Sequence, residues 1–261
     1  MTPIAFAIAC AVIALLLVLT RRKTHDDRSG KGYWQSREIK YRSENKPFAP
    51  GKELRGLDSV LTGDTDGKFG EAITSALVER TAAKSKGRYF VLQNVYIPTH
   101  AGYTEIDTVL LHETGIYVFE TKNISGEISG SMEAERWEQE INPRVKHTLY
   151  NPVRQNMGHT GALLRQLHIR LDDASAYSFV VFSDRSILRN VPASGKFGKG
   201  GNGWQVVHLG ELGNALGKLL GTRPAVYRSA QIEKWHEALR DCVNVDDSIK
   251  KKHRASVAHR H

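Results

Sequence analysis

The stretch from Thr104 to Asn123 constrains the fold of this 261-residue chain more than any other. Two runs rich in β-branched and aromatic residues flank a short turn at His112–Gly115, a pattern typical of a β-hairpin. We expect Gly115 to occupy the turn position that needs a positive φ angle. A turn centred between Glu113 and Thr114 predicts the register of the hairpin. The predicted opposite pairs are Leu111 with Ile116, Val109 with Val118, and Asp107 with Glu120.

One face of this hairpin ends in charged side chains. Asp107 and Glu120 would have Cβ atoms about 4.5–5.5 Å apart, and Lys122 shares the face of Glu120 through the two-residue period of a strand. Two carboxylates this close repel each other, so one would hold its proton unless a cation lies between them. A divalent metal with oxygen ligands is the simplest such cation. The alternative is a solvent-exposed hairpin end, because Glu-x-Lys alone is a common sequence.

Helical patterns lie on both sides of the hairpin. Gly70 and Glu71 are expected to open a helix, with Phe69, Ile73, Ala76 and Leu77 as its apolar stripe. Glu71 would then lie in the first turn, where the helix dipole alone could favour a carboxylate. Asn151 and Pro152 predict a second helix start, with asparagine as the N-cap and proline at the first position. That helix is expected to reach about Leu171, with Gln155, Asn156 and His159 on a solvated polar face.

The remaining patterns predict further strands and helices. Strands are expected at Arg88–Ile97, Tyr177–Ser183 and Trp204–Leu209, a further hairpin at Ile124–Ile141, and closing helices at Leu212–Leu220 and Ser229–Cys242. Trp235 and Leu239, four residues apart, are expected to face the core. The histidines lack the spacing of zinc ligands, so we expect no zinc site.

Residues 3–20 contain no charged side chain. Eighteen helical residues span about 27 Å, enough for the hydrocarbon core of a bilayer. A cleaved signal peptide is the rival interpretation, but no Lys or Arg precedes the run and no small-x-small site follows it before residues 21–23. Because those residues are Arg-Arg-Lys, the positive-inside rule places the rest of the chain in the cytoplasm. We therefore expect a single-pass inner (cell) membrane protein.

The net charge of +9 is unevenly distributed. The excess of Lys and Arg lies in residues 21–60 and 249–261, whereas residues 61–248 are close to neutral. Attraction to anionic lipid explains basic flanks as well as nucleic-acid binding does. The overall charge is therefore weak support for a nucleic-acid partner.

Taken in order, these motifs resemble the NERD (nuclease-related) domain, a bacterial branch of the PD-(D/E)xK nuclease superfamily. The resemblance covers about residues 67–167. It is carried by Gly70-Glu71, Thr104-Glu105-Ile106-Asp107, Glu120-Thr121-Lys122-Asn123, Trp137, Asn151-Pro152, Gln155-Asn156 and His159. It implies an α/β fold with a restriction-endonuclease-like core, a mixed β-sheet flanked by helices, here joined to one N-terminal transmembrane helix.

The resemblance also implies roles for individual residues. Asp107 and Glu120 would bind Mg²⁺ or Mn²⁺, with the Thr121 carbonyl as a third ligand and Glu71 as an outer ligand. Lys122 would position or activate the attacking water, or stabilise charge on the phosphate. Gln155 would be the polar residue that the superfamily places on the helix after the core strands.

These expectations define a domain organisation and a function. The predicted segments are an anchor (1–20), a basic linker (21–66), a nuclease-like core (67–185), a C-terminal α/β extension (186–245) and a basic tail (246–261). The predicted function is a membrane-tethered, metal-dependent nuclease, acting on DNA more readily than RNA. The alternatives are a non-catalytic module that binds nucleic acid or protein at the membrane, and a scaffold that binds anionic lipid through the basic flanks.

Overall fold

The structure is a computed structural model that describes residues 65–100, 102–198, 202–243 and 245–250, with no side-chain description for residues 65 and 66. The predicted anchor, nearly all of the predicted linker and most of the basic tail lie outside these ranges. Within them, no helix is long and apolar enough to cross a membrane.

In the described chain, one helix precedes six strands, a second helix and a 3₁₀ helix precede four more strands, and three helices follow. The helices are α1 (Thr65–Ala82), α2 (Pro152–Gln166), α3 (Leu209–Thr222), α4 (Ser229–Ala238) and α5 (Arg240–Val243), with a short 3₁₀ helix at Leu171–Asp173. The strands are β1 (Tyr89–Thr99), β2 (Gly102–His112), β3 (Gly115–Lys122), β4 (Gly126–Ser129), β5 (Arg136–Asn142), β6 (Val145–Tyr150), β7 (Ala176–Phe182), β8 (Ser186–Leu188), β9 (Ser194–Lys196) and β10 (Gly203–His208).

The strands form two mixed sheets. The larger has the order β1-β2-β3-β7-β10-β9, and the smaller has the order β6-β5-β4-β8. Strand β3 runs antiparallel to β2 and parallel to β7, and β7 runs parallel to β10. The predicted mixed α/β class, with sheets flanked by helices, is therefore confirmed. The residues after 185 contribute β9 and β10 to the same large sheet.

The large sheet is covered on both faces. On one face, Val78 and Ala82 of α1 join Leu212 and Leu216 of α3 in a buried apolar cluster. On the other face, the second cluster contains residues of α2 and α4: Val153, Leu163, Ile232 and Trp235. Trp235 and Leu239 are buried as predicted, with exposed fractions of 6% and 0%. Strand β3 thus lies inside a three-layer arrangement.

The central hairpin has the predicted register. Leu111 lies opposite Ile116 and Val109 opposite Val118. The predicted positive φ at Gly115 is wrong, because this residue is not among those in the left-handed region. A Cβ at Gly115 would instead lie 3.0 Å from the Ser175 carbonyl oxygen and from the Tyr177 ring. Close packing against β7, rather than turn conformation, is the physical reason for a glycine there.

Helix α1 begins earlier than predicted. It starts at Thr65, so Glu71 lies in the second turn, where the helix dipole has little effect. The predicted apolar stripe is also wrong in part, since Ala76 is exposed. The buried face instead consists of Thr74, Ser75, Val78 and Ala82. Small polar residues on the buried side hid this face from the hydrophobic pattern.

Helix α2 begins as predicted and ends sooner. The Asn151 side chain accepts hydrogen bonds from the backbone N–H groups of Val153 and Arg154, and Pro152 is the first helical residue. The helix ends at Gln166 instead of Leu171. The Asn151 amide also donates to the carbonyls of Ser131, Met132 and Ala134. This one side chain therefore joins the start of α2 to the loop before β5.

Strand β2 changes its facing at Asp107. Ile106 and Val109 belong to the same buried cluster although they are three residues apart, which regular two-residue alternation does not allow. Across the ladder, the neighbouring pairs are Gln93 with Thr108 and Val95 with Ile106. The residue between them on β1, Asn94, has a φ of 51°. This left-handed residue produces the local twist that places Asp107.

Replacing Asn94 with alanine is expected to cost about 1 kcal/mol of unfolding free energy, because alanine pays the steric penalty of the left-handed region more fully than asparagine. Asn94→Gly should cost much less, since glycine adopts that conformation without a clash. Chemical denaturation of both variants measures the difference. Equal losses in the two variants would show that the side chain of Asn94, and not its backbone conformation, is what matters.

Candidate active site

Strand β3 carries a buried ion pair at its C-terminal end. Every residue from Gly115 to Glu120 is buried, and the Glu120 side chain is only 4% exposed. The Lys122 Nζ donates a hydrogen bond to the Glu120 Oε1 at 2.7 Å, and the Lys122 side chain is 21% exposed. The solvent-exposed hairpin end considered above is therefore not what the structure contains.

Helix α2 supplies two more groups to this pair. The Lys122 Nζ also donates to Gln155 Oε1 at 3.1 Å. The His159 Nε2 lies 3.2 Å from the Glu120 Oε2, and the Nδ1 of the same imidazole lies 2.9 Å from the Thr104 Oγ1. The predicted solvated face of α2 is thus wrong for Gln155 and His159, because that face packs against the sheet.

Asn156 fixes the position of α2 on the sheet. It is fully buried, and its side-chain amide donates to the carbonyls of Val118 on β3 and Phe179 on β7. Its predicted place on a solvated face is also wrong. Two hydrogen bonds to adjacent parallel strands fix the position of α2 along the direction of β3. They therefore hold Gln155 beside Lys122.

Asp107 reaches the site from the neighbouring strand. The β2–β3 ladder has its last pair at Thr108 and Phe119, one residue before Asp107 and Glu120. Beyond that pair, the Thr121 N–H donates to Asp107 Oδ2 at 2.7 Å. The carboxyl group of Asp107 thus replaces a backbone acceptor, and its other oxygen is not used by this bond.

Helix α1 approaches the site through Gly70. A Cβ at Gly70 would lie 2.6 Å from the Asn123 Cβ, directly after β3. The Asn123 side chain in turn accepts a hydrogen bond from the Arg185 guanidinium at 3.1 Å. The missing side chain at Gly70 lets α1 come close enough for Glu71 to interact electrostatically with Glu120 and Lys122.

Gly70→Ala is expected to destabilise the protein by about 1–3 kcal/mol, because the added methyl group overpacks the contact with Asn123. Gly67→Ala is the matched control on the same helix. Gly67 is exposed and a Cβ there meets nothing within 4 Å, so its replacement should stabilise by up to about 1 kcal/mol through helix propensity. Thermal unfolding of both variants checks this, and stabilisation by both would contradict the close approach.

The buried ion pair has strongly shifted pKa values. Burial raises the pKa of the Glu120 carboxyl, but the Lys122 ammonium and the His159 imidazole outweigh it and lower that pKa from 4.5 to about 2. Burial lowers the pKa of Lys122, but the carboxylates of Glu120, Asp107 and Glu71 outweigh it and raise that pKa above 10.5. Glu120 is therefore ionised and Lys122 protonated at neutral pH.

The other two carboxyls shift in the opposite direction. Burial, then the charges of Glu120 and Glu71, raises the pKa of Asp107 well above its ordinary 3.8, against the Thr121 N–H and the Lys122 ammonium. Burial, Glu105 and Glu120 raise the pKa of Glu71. The site thus holds more negative charge than its single lysine balances, and an added cation would relieve the repulsion.

The residues fit a metal site with open positions. Glu120 Oε2 is buried and has no hydrogen-bond partner among the described residues, and one oxygen of Asp107 is not used by Thr121. Within the described ranges, no three His, Cys, Asp or Glu side chains already lie close enough together to hold a metal ion, so a bound ion would have to draw its side-chain ligands inwards. Mg²⁺ commonly binds to one or two carboxylates and keeps waters or substrate phosphate in its other positions.

The residues of this site all lie in one segment that matches a known protein family. Residues 66–183 match the NERD family model, the nuclease-related domain. The matched segment contains every residue that the sequence predicted for the site: Glu71, Asp107, Glu120, Thr121, Lys122 and Gln155. The NERD segment also contains Thr104, Asn156 and His159. The predicted resemblance is therefore confirmed for this part of the chain.

A curated relative is also similar to part of the chain. An uncharacterized protein of Bacillus anthracis is 42% identical over 98 residues, which cover 37% of this chain and 44% of that protein. The match thus spans less than half the length of that relative. No solved structure matches the chain.

The structure brings the predicted residues together to different degrees. Glu120, Lys122 and Gln155 are in direct contact, Asp107 is joined to them through the Thr121 backbone, and Glu71 interacts with them through charge. Sequence reasoning assigned no role to Thr104 or His159. The clue was available, because Val153, Asn156, Thr160, Leu163 and Leu167 recur every three or four residues. This spacing indicates a buried helical face that contains polar residues.

Proposed function

We propose that the NERD segment is a metal-dependent phosphodiesterase that hydrolyses nucleic acid, DNA more readily than RNA. The observation that carries the proposal is the largely buried Lys122 ammonium, held between Glu120 and Gln155 three residues beyond the last β2–β3 pair on β3. A buried, fully oriented cation beside excess carboxylate charge has no evident packing role. It is suited to a phosphate group and an attacking water.

The metal would be held by Glu120 and Asp107, with the Thr121 carbonyl as a further oxygen ligand and Glu71 outside them. The Thr121 N–H points towards β2, and the N–H and C=O of one strand residue point to the same side. The carbonyl therefore faces the same space as Asp107. Bound Mg²⁺ or Mn²⁺ would supply a Lewis acid for the phosphate and a lowered pKa for a bound water.

Lys122 would act as a fixed positive charge. Because the carboxylates of Glu120, Asp107 and Glu71 outweigh burial and raise its pKa, Lys122 holds its proton at neutral pH in the metal-free site. Its Nζ would orient the attacking water and favour the charge that builds on the phosphate oxygens as the new P–O bond forms and the bond to the leaving sugar oxygen breaks. Gln155 would hold the ammonium in place while the substrate enters.

The direct test is a cleavage assay of the full chain in detergent micelles. Single- and double-stranded DNA and RNA are offered with Mg²⁺, Mn²⁺ or EDTA, beside a Glu120→Gln variant. Metal-dependent cutting that disappears in the variant is the expected result. Cutting that continues in Glu120→Gln would contradict the assigned site. A wild-type protein that binds metal but cuts none of the substrates would favour the non-catalytic binding module.

We also propose that residues 3–20 anchor the protein in the inner membrane, with the NERD segment in the cytoplasm and the basic flanks near anionic lipid. The uncharged N-terminal run and the Arg-Arg-Lys sequence after it support this. The full chain is expected to remain in the membrane pellet after a high-salt alkaline wash, whereas a chain that begins at residue 61 should be released. Release of both chains would contradict the anchor.

A further inference from the structure

Two buried polar atoms at the site lie within ion-pairing distance but not in hydrogen-bond geometry. They are Glu120 Oε2 and His159 Nε2, 3.2 Å apart. Neither atom has a hydrogen-bond partner among the described residues, and the two side chains are only 4% and 9% exposed. Buried polar groups are nearly always paired, so a pair of this kind calls for a ligand or a charge.

The rest of the imidazole is already held. Its Nδ1 lies 2.9 Å from the hydroxyl of Thr104 on β2, which can accept a hydrogen bond from the ring N–H. When Nδ1–H donates to this hydroxyl, Nε2 carries a lone pair and lies 3.2 Å from the Glu120 Oε2. In this tautomer the two acceptors repel each other, and either a proton on Nε2 or a cation shared between the two atoms removes the repulsion. Histidines that bind metals through one nitrogen usually donate the other N–H in this way.

The spacing of the two atoms also fits a shared metal ion. Nitrogen and oxygen ligands lie about 2.0–2.2 Å from a first-row metal. At ligand–metal–ligand angles between 90° (octahedral) and 109.5° (tetrahedral), two such atoms are separated by about 2.8–3.6 Å. The observed 3.2 Å lies inside this range.

We propose that His159 is a metal ligand together with Glu120, and that Thr104 is the positioning residue that fixes the imidazole. This inference rests on the proposed function, and it deepens that function by naming the class of metal. Imidazole nitrogen suits transition metals, whereas Mg²⁺ prefers oxygen ligands. The site therefore selects Mn²⁺ or a related first-row divalent cation over Mg²⁺.

The test uses the full chain in detergent micelles, with Mn²⁺ alone as the probe. Pulsed electron paramagnetic resonance detects the coupling of a ligating ¹⁴N nucleus to Mn²⁺, and calorimetric titration gives the affinities for Mn²⁺ and Mg²⁺. The variants are His159→Gln, Thr104→Val and Glu120→Gln. His147→Gln is the matched control, since His147 is an exposed residue on β6.

We expect a ¹⁴N coupling in the wild type and in His147→Gln, and its loss in His159→Gln, which assigns the signal to this histidine and not to the others in the chain. The preference for Mn²⁺ over Mg²⁺ should fall by about tenfold or more in His159→Gln. Thr104→Val should keep the ¹⁴N coupling and weaken Mn²⁺ binding by about 10–100-fold, the effect of removing a group that orients a ligand.

Two results would overturn the proposal, and only the second would also contradict the proposed metal-dependent function. In the first, Glu120→Gln abolishes Mn²⁺ binding, but the wild type shows no ¹⁴N coupling and His159→Gln keeps the metal preference. His159 is then an ion-pair partner of Glu120, and the proposed nuclease site stands. If the folded wild type binds neither Mn²⁺ nor Mg²⁺, this inference and the metal-dependent function both fail.

Discussion

Lys122→Met is expected to reduce metal-dependent cleavage by about 10²–10³-fold or more, the size of effect seen when one preorganised group that stabilises transition-state charge is removed. Methionine keeps the apolar length of the lysine stem and removes only the charge and the hydrogen bonds to Glu120 and Gln155. Single-turnover cleavage at saturating metal measures the chemical step directly. The loss should appear in the rate constant and not only in substrate binding.

The matched control for this prediction is Lys146→Met. Lys146 is also ion-paired with a glutamate, Glu140, but its side chain is 58% exposed and lies on β6. Exposed ion pairs contribute little to stability, and this one has no contact with the site. Both variants must show native unfolding curves. Equal cleavage by the wild type and Lys122→Met would remove Lys122 from the mechanism, and an equal loss in the two variants would point to non-specific charge effects.

The two central carboxyls are expected to respond with opposite signs when they are neutralised without metal. Glu120→Gln should destabilise the protein by about 3 kcal/mol at pH 7, because a pKa lowered from 4.5 to about 2 means that folding favours the ionised form. Asp107→Asn should stabilise the metal-free protein, since burial and the neighbouring carboxylates raise the pKa of Asp107 and disfavour its charge. Denaturant unfolding in EDTA measures both effects.

The same pKa directions give the pH dependence. The contribution of Glu120 is present above its unfolded pKa of about 4.5 and is lost as the pH falls through about 2. The penalty from Asp107 is absent at low pH and grows as the pH rises above its unfolded pKa of about 3.9. Acid should therefore destabilise Asp107→Asn more steeply than the wild type between pH 7 and pH 4. Parallel curves would contradict the raised pKa of Asp107.

Metal should reverse the benefit of Asp107→Asn. A ligand at 100 times its dissociation constant stabilises the native state by about 2.7 kcal/mol. The wild type is expected to gain this amount with Mn²⁺, and Asp107→Asn should gain little. A variant that is more stable without metal but gains no stability from metal would show the usual trade-off between stability and function at a charged site. An equal response to metal would exclude Asp107 as a ligand.

The sequence predicted the hairpin and its charged end because both follow from local rules. A short turn and a two-residue period determine which residues face each other, and a slip of one residue would expose the apolar face. Glu120 and Lys122 were therefore placed together at the end of β3 before any tertiary contact was known, whereas the predicted pairing of Asp107 with Glu120 lies beyond the last pair of the ladder. Asn151 and Pro152 were equally local, since an N-cap depends on the first turn alone.

The missed features depend on contacts between distant elements. His159 and Asn156 are polar, so their burial follows only from how α2 packs across β3 and β7. Helix α1 buries Thr74 and Ser75, which carry no hydrophobic signal. The left-handed Asn94 that re-aims Asp107 is a single backbone angle on another strand. In each case the deciding interaction joins residues that no short sequence window contains.

The position of β3 in the large sheet also has a consequence for hydrogen exchange. Because β3 lies between β2 and β7 and is buried through Glu120, its amide hydrogens should exchange only when most of the sheet opens. The part of β2 before Thr108 pairs its backbone with β1 and not with β3, so its backbone amides should open more readily. We therefore expect slow amide exchange in β3, which carries Glu120 and Lys122, and faster amide exchange in the part of β2 that carries Asp107.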